Sequence, residues 1–217
     1  MDNRTKKTAE NFVMNLTGAN VAELQEYVAE IRLNREFNES IEEKRSTSGG
    51  RRSSYWEFGL SPTLGGILYA VCRRQRPDIV VETGVASGVS SSHILCALEK
   101  NKQGQLYSID LPSGRENRSG WMIPDYLRHR WHLTLGSSSE TLEPLLKKAA
   151  EIDIFLHDSD HSYENMMWEF ETAWSYLKAG GLLLSHNIDS NDVFSDFCRD
   201  HNVKGYTLGD MGGIVKV

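Results

Sequence analysis

A chain of 217 residues with 39% hydrophobic and 25% charged residues has the size and composition of a soluble globular protein with a sizeable core. Its net charge of −6 argues against general nucleic-acid binding, and no apolar run approaches the roughly 18 residues that a membrane span needs. Cys72, Cys96 and Cys198 lack C-x-x-C spacing and the polar N-terminus does not read as a signal peptide, so free thiols in a cytoplasmic protein are expected.

Residues 1–18 show little periodicity and are expected to form a mobile or loosely docked terminus. From Asn20 a helix is predicted, with Val21, Leu24, Val28 and Ile31 as a narrow apolar stripe. That stripe is too thin to stand alone. It calls for the core, a second subunit in a symmetric dimer, or a site over which the helix folds as a lid. Residues 42–54, with Lys44, Arg45, Arg51 and Arg52 among serines and glycines, read as a flexible linker or lid. Residues 1–54 are thus an N-terminal helical extension with its linker, ahead of one domain over 55–217. Ser61-Pro62 starts a helix whose inner face is Leu64, Ile67, Leu68 and Val71. Arg73, Arg74 and Arg76 complement its C-terminal dipole before Pro77 ends it.

Strands and helices then alternate. Ile79-Val80-Val81-Glu82, Leu106-Tyr107-Ser108-Ile109, His132-Leu133-Thr134-Leu135, Asp153-Ile154-Phe155-Leu156 and Leu182-Leu183-Leu184-Ser185 are the predicted strands. Met166, Phe170, Ala173, Trp174 and Leu177 keep the rhythm of a helix packed on a sheet, with Gly180-Gly181 expected as its cap. Gly205-Tyr206-Thr207-Leu208 and Gly213-Ile214-Val215-Lys216-Val217 are joined too tightly for a crossover, so they pair antiparallel. The expected fold is α/β: a Rossmann-like, seven-stranded, mostly parallel sheet with an antiparallel C-terminal hairpin and helices on both faces, plus the N-terminal helical extension.

The turn after the first strand, Glu82-Thr83-Gly84-Val85-Ala86-Ser87-Gly88, lets backbone approach a ligand at a helix start. Asp110, at the tip of the neighbouring strand, stands where an adenosine ribose seeks a carboxylate. The third position of a dinucleotide fingerprint is Val89, not glycine, and no Gly-Lys-Ser/Thr follows for a P-loop. Glu82 would repel a pyrophosphate yet suit an amino group and a sulfonium. S-adenosylmethionine meets those demands better than NAD.

With these pieces the chain resembles class I S-adenosylmethionine-dependent methyltransferases, specifically the small-molecule O-methyltransferases of methyltransferase family 24. The resemblance runs from about Tyr55 to Val217. It rests on the Glu82–Gly88 turn, on Gly120-Trp121-Met122-Ile123-Pro124 with Arg130-Trp131, and on Asp153-Ile154-Phe155-Leu156-His157-Asp158-Ser159-Asp160-His161-Ser162-Tyr163. It implies a cofactor site lined by Glu82, Gly84, Ala86, Gly88, Ser90, Asp110, Leu111, Ser137, Ser138 and Asp158. It also implies Asp158 as a catalytic metal ligand and His161 as general base for methylating a hydroxyl. The acceptor would be a small molecule, a sugar or glycosylated metabolite included, with no general nucleic-acid or membrane partner. Where relatives carry Asp-Asp or Asp-Asn at the fifth strand end, this chain has His186-Asn187. A divalent metal (Mg or Mn) held by Asp158, His186 and Asn187 is therefore weaker, and the alternative is a cofactor-binding protein of this fold with altered catalysis. Arg115 and Arg118 are candidates to grip an anionic acceptor. His157, one position before the strand-end acid, reads as a packed or hydrogen-bonded core residue.

Overall fold

A computed structural model describes residues 3–47, 62–112 and 118–217. The second half of the expected linker, with Arg51 and Arg52, and Arg115 lie outside the described residues.

Five strands, β1 (Ile79–Thr83), β2 (Gln105–Asp110), β3 (Trp131–Leu135), β4 (Ile152–His157) and β5 (Leu177–Ser185), run parallel. β7 (Met211–Val215) is antiparallel to β5 and to β6 (Gly205–Leu208), giving the order β3-β2-β1-β4-β5-β7-β6. Strand alternation sorts the side chains onto two faces. Val80, Leu106, Ile154, Leu156, Leu182 and Leu184 join one apolar cluster. Val81, Ile109, Phe155 and Leu183 join the other. The first cluster is covered by α4 (Pro62–Gln75) and α5 (Val89–Asn101). The second is covered by α6 (Ser138–Ala149), α7 (Tyr163–Tyr176) and α8 (Val193–Asp200), the last a helix the sequence pattern did not disclose. Because β1 has β2 on one side and β4 on the other, their helices leave in opposite directions. A crevice opens at the carboxyl ends of these strands.

The N-terminal segment departs from expectation. α1 (Asn3–Thr17) is a helix whose Phe12, Val13 and Leu16 are buried in the first cluster, rather than a loose terminus. Leu16 packs where Gly213 of β7 has no side chain; a Cβ there would come within 2.7 Å of it. α2 (Val21–Leu33) starts with a capping box, Asn20 Oδ1 accepting from Glu23 N–H at 3.0 Å and Glu23 Oε2 from Asn20 N–H at 2.8 Å. Of its predicted stripe only Leu24 and Ile31 are buried, while Val21 and Val28 are exposed. The docking is partly polar: Glu30 receives Arg73 Nε at 2.8 Å, Arg73 Nη2 at 3.2 Å and the Tyr69 hydroxyl at 3.1 Å. Residues 42–47, read as linker, continue α3 (Arg35–Thr47), which Lys44 ties to Asp125 at 2.9 Å.

A second correction concerns Gly180-Gly181. α7 ends at Tyr176, and Leu177 is already extended, so the glycines lie within β5 rather than capping the helix. The Gly180 N–H donates to Lys216 O at 2.7 Å. Among the described residues no helix is long and apolar enough to cross a membrane.

Candidate active site

The crevice holds a cavity of about 1000 Å3. Gly84 and Ala86 of the β1–α5 turn, Asp110 and Leu111 after β2, and Gly136, Ser137 and Ser138 after β3 form one end. Asp158, Asp160, His161, His186, Asn187 and Asp210 form the other. Its wall is acidic: four aspartates and, among the described lining residues, no lysine or arginine.

The glycines of the turn serve the protein before any ligand. Gly84 has φ +81 and lies against the Asp158 backbone, so closely that a Cβ would overlap the Asp158 carbonyl. This contact follows from the parallel ladder, in which Asp158 N–H donates to Thr83 O at 2.8 Å. Gly88, with φ +86, precedes α5, and a Cβ on it would meet Gly120 Cα at 2.8 Å. Ala86 takes a left-handed φ of +47 without being glycine, a strained position facing the cavity.

Glu82, Gly88 and Ser90 do not line the cavity. The Glu82 side chain is fully buried behind the turn. It accepts hydroxyl bonds from Ser90 at 2.5 Å, Ser91 at 2.7 Å and Ser108 at 2.8 Å, pinning the end of β1 to α5 and β2. Burial, opposed by these hydroxyls and aided by Asp158, pushes its carboxyl from the ordinary 4.5 up to about 7. A folded value above the unfolded one means that the folded chain holds the proton more tightly. This contribution to stability is whole below about 4.5 and declines as pH rises through about 7. Glu82→Gln should flatten that decline by roughly 3 kcal/mol. Denaturant unfolding of both proteins across this range checks it, and parallel curves would count against it.

At the other end, His186 takes an unforeseen place. Its Nδ1 lies 3.1 Å from Asp158 Oδ1 and its Nε2 lies 3.4 Å from Asp210 Oδ2, the latter brought in by the β6–β7 hairpin. Burial opposes protonation of His186, but Asp158 and Asp210, with Asp189 farther off, raise it above the ordinary histidine value. Asn187 has φ +53 and also faces the cavity. Asp158, His186 and Asn187 all line the cavity as the sequence suggested; among them Asp158 is hydrogen-bonded to His186, whose other ring nitrogen faces Asp210. Among the described residues, no group of three or more His, Cys, Asp or Glu side chains is arranged to hold a metal ion.

His161 reaches the cavity from the loop after β4. Its Nδ1 is 3.2 Å from Nε2 of fully buried His157, and its Nε2 is 3.8 Å from Asp158 Oδ1. Behind His157 stands Glu169, also fully buried, with Oε2 2.7 Å from His157 Nδ1. Burial and neighbouring His157 hold His161 below the ordinary histidine value, against the pull of Asp158. It is therefore a neutral imidazole near pH 7, able to take up a proton. The sequence did carry a signal for Glu169: an acid on the inward face of α7, between Met166, Phe170 and Ala173.

Residues 81–188 match the family model Methyltransf_24, a methyltransferase domain. The chain carries a methyltransferase domain. The fold is that of solved enzymes distant in sequence. SAH-bound methyltransferase PaMTH1 of Podospora anserina is 16% identical with a TM-score of 0.64, over 85% of this chain and 89% of its own. An O-methyltransferase of Bacillus cereus in complex with SAH is 16% identical with a TM-score of 0.60, over 98% and 100%. The mycinamycin-pathway methyltransferase MycE, with Mg, SAH and mycinamycin VI, is 14% identical with a TM-score of 0.53, over 67% of this chain and 46% of its own. No curated protein matches the sequence.

Proposed function

We propose that this methyltransferase domain transfers a methyl group from S-adenosylmethionine to a hydroxyl of a small-molecule acceptor. The observation that carries the reading is the chemistry of the cavity wall: carboxylates without described lysines or arginines, a match for a cationic donor and a mismatch for a polyphosphate. Asp110 is suited to the ribose hydroxyls, Leu111 with Ser137 and Ser138 to the adenine, and the backbone at Gly84 and Ala86 to the methionyl end. Glu82 acts from beneath, holding the turn in shape. The SAH held by the Podospora anserina and Bacillus cereus enzymes, and the mycinamycin VI held by MycE, support this class of donor and acceptor.

Bound there, the donor supplies an electrophilic methyl on a sulfonium. That methyl would be open to in-line displacement by an acceptor oxygen, with the electrons of the carbon–sulfur bond staying on sulfur. His161 takes the hydroxyl proton on Nε2. Asp158, engaged by His186, orients that end of the site rather than chelating, so the base works without a resident cation.

Calorimetry with S-adenosylhomocysteine and S-adenosylmethionine tests the donor site. Micromolar binding is expected, weakened about 10- to 100-fold in Asp110→Ala through loss of a charge-assisted hydrogen bond. Tighter binding of NADH than of either sulfur compound would overturn the reading.

A further inference from the structure

A buried chain of three side chains runs from the interior to the cavity, and the methyl-transfer chemistry accounts only for its outer end. Glu169 and His157 are both fully enclosed. Around the Glu169 carboxylate every partner is a donor. Thr83 Oγ1 donates to Oε2 at 2.6 Å, while Ser159 Oγ at 2.6 Å and Asn165 Nδ2 at 3.2 Å donate to Oε1. The fourth group, His157 Nδ1 at 2.7 Å from Oε2, must then present a hydrogen, because a carboxylate can only accept.

We propose that Glu169 and His157 are positioning residues that fix the tautomer of His161, leaving its Nε2 lone pair facing the acceptor. The proton logic runs outward one atom at a time. His157 spends its hydrogen on Glu169, so its Nε2 carries a lone pair. That lone pair accepts Nδ1–H of His161 at 3.2 Å, with the rings nearly perpendicular at 76°. An imidazole with its hydrogen on Nδ1 has Nε2 free as a base. The His161 main chain is fixed separately, its carbonyl accepting from Asn191 Nδ2 at 2.9 Å. The ring is thereby held from inside and its backbone from outside. Burial works against the Glu169 charge, but His157 and the hydroxyls of Ser138 and Ser159 hold the carboxyl below its ordinary value. The buried carboxylate is thus favoured over its neutral acid by the groups that donate to it.

The proposal rests on His161 being the base, and the two ideas fail separately. In the full chain labelled with 15N-histidine and loaded with S-adenosylhomocysteine, long-range proton–nitrogen spectra should show His157 and His161 each with hydrogen on Nδ1 and a lone pair on Nε2. A hydrogen on Nε2 of His161, or a His157 protonated on both nitrogens, overturns the proposal without any activity measurement. His157→Phe should lower kcat about 10- to 100-fold, with donor affinity within twofold and the His161 hydrogen no longer confined to Nδ1. His157→Gln, whose amide oxygen can accept in the place of Nε2, should recover most of that loss. A His157→Phe protein with wild-type kcat, or a His157→Gln protein no better than His157→Phe, also overturns it. If instead His161→Ala turns over as wild type, it is the base assignment that falls.

Discussion

Replacing His161 with alanine should lower turnover about 100- to 10 000-fold while leaving donor affinity within threefold. The reason is local: among the described lining residues at this end of the cavity, His161 alone combines a neutral imidazole with a ring nitrogen that no carboxylate or hydroxyl engages within hydrogen-bond reach. Single-turnover methylation beside calorimetry separates the chemical step from binding. The row Asp158–His186–Asp210 adds a second arm, because a chelator should leave wild-type turnover within twofold. Loss of most activity on chelation, restored by Mg or Mn, would return Asp158 to the role of metal ligand.

Among the described glycines, Gly84→Ala should add the most damaging methyl. Left-handed backbone costs an alanine about 1–2 kcal/mol, and the new methyl would overlap a carbonyl that β4 cannot move without breaking its ladder to β1. A total of about 2–5 kcal/mol, or a fall in Tm on the order of 10 °C, is expected. Donor binding should weaken as well, since the same displacement shifts Asp158 at the cavity wall. Ala86→Gly is the control: it relieves a φ of +47 in the same turn and should change stability by less than about 1 kcal/mol. Equal melting of Gly84→Ala and wild type would refute the packing argument.

The sheet was legible because strands buried on both faces read as short, nearly unbroken apolar runs, and because the tight connection into β7 admits only an antiparallel partner. The β1 turn and Asp110 were legible for a similar reason: both follow directly from strand ends. What escaped depends on partners far away in the chain. α1 looks unpatterned until the β6–β7 hairpin supplies the surface that Leu16 covers. Alternation puts Glu82 on the face of Val80. Only the folded chain reveals that Ser90, Ser91 and Ser108 converge on it and keep it out of the cavity wall. That Asp210 lies on the far side of His186 likewise needed the hairpin in place. Glu169 was visible as an acid in an apolar stripe, but its service to His157 required the fold.

The acidic lining has a bearing on the end of the catalytic cycle. If the proposed donor binds here, methyl transfer would remove the positive charge on its sulfur and with it the attraction of a wall that carries four aspartates. At equal concentration S-adenosylhomocysteine is then expected to bind more weakly than S-adenosylmethionine, and calorimetry with both compounds checks it.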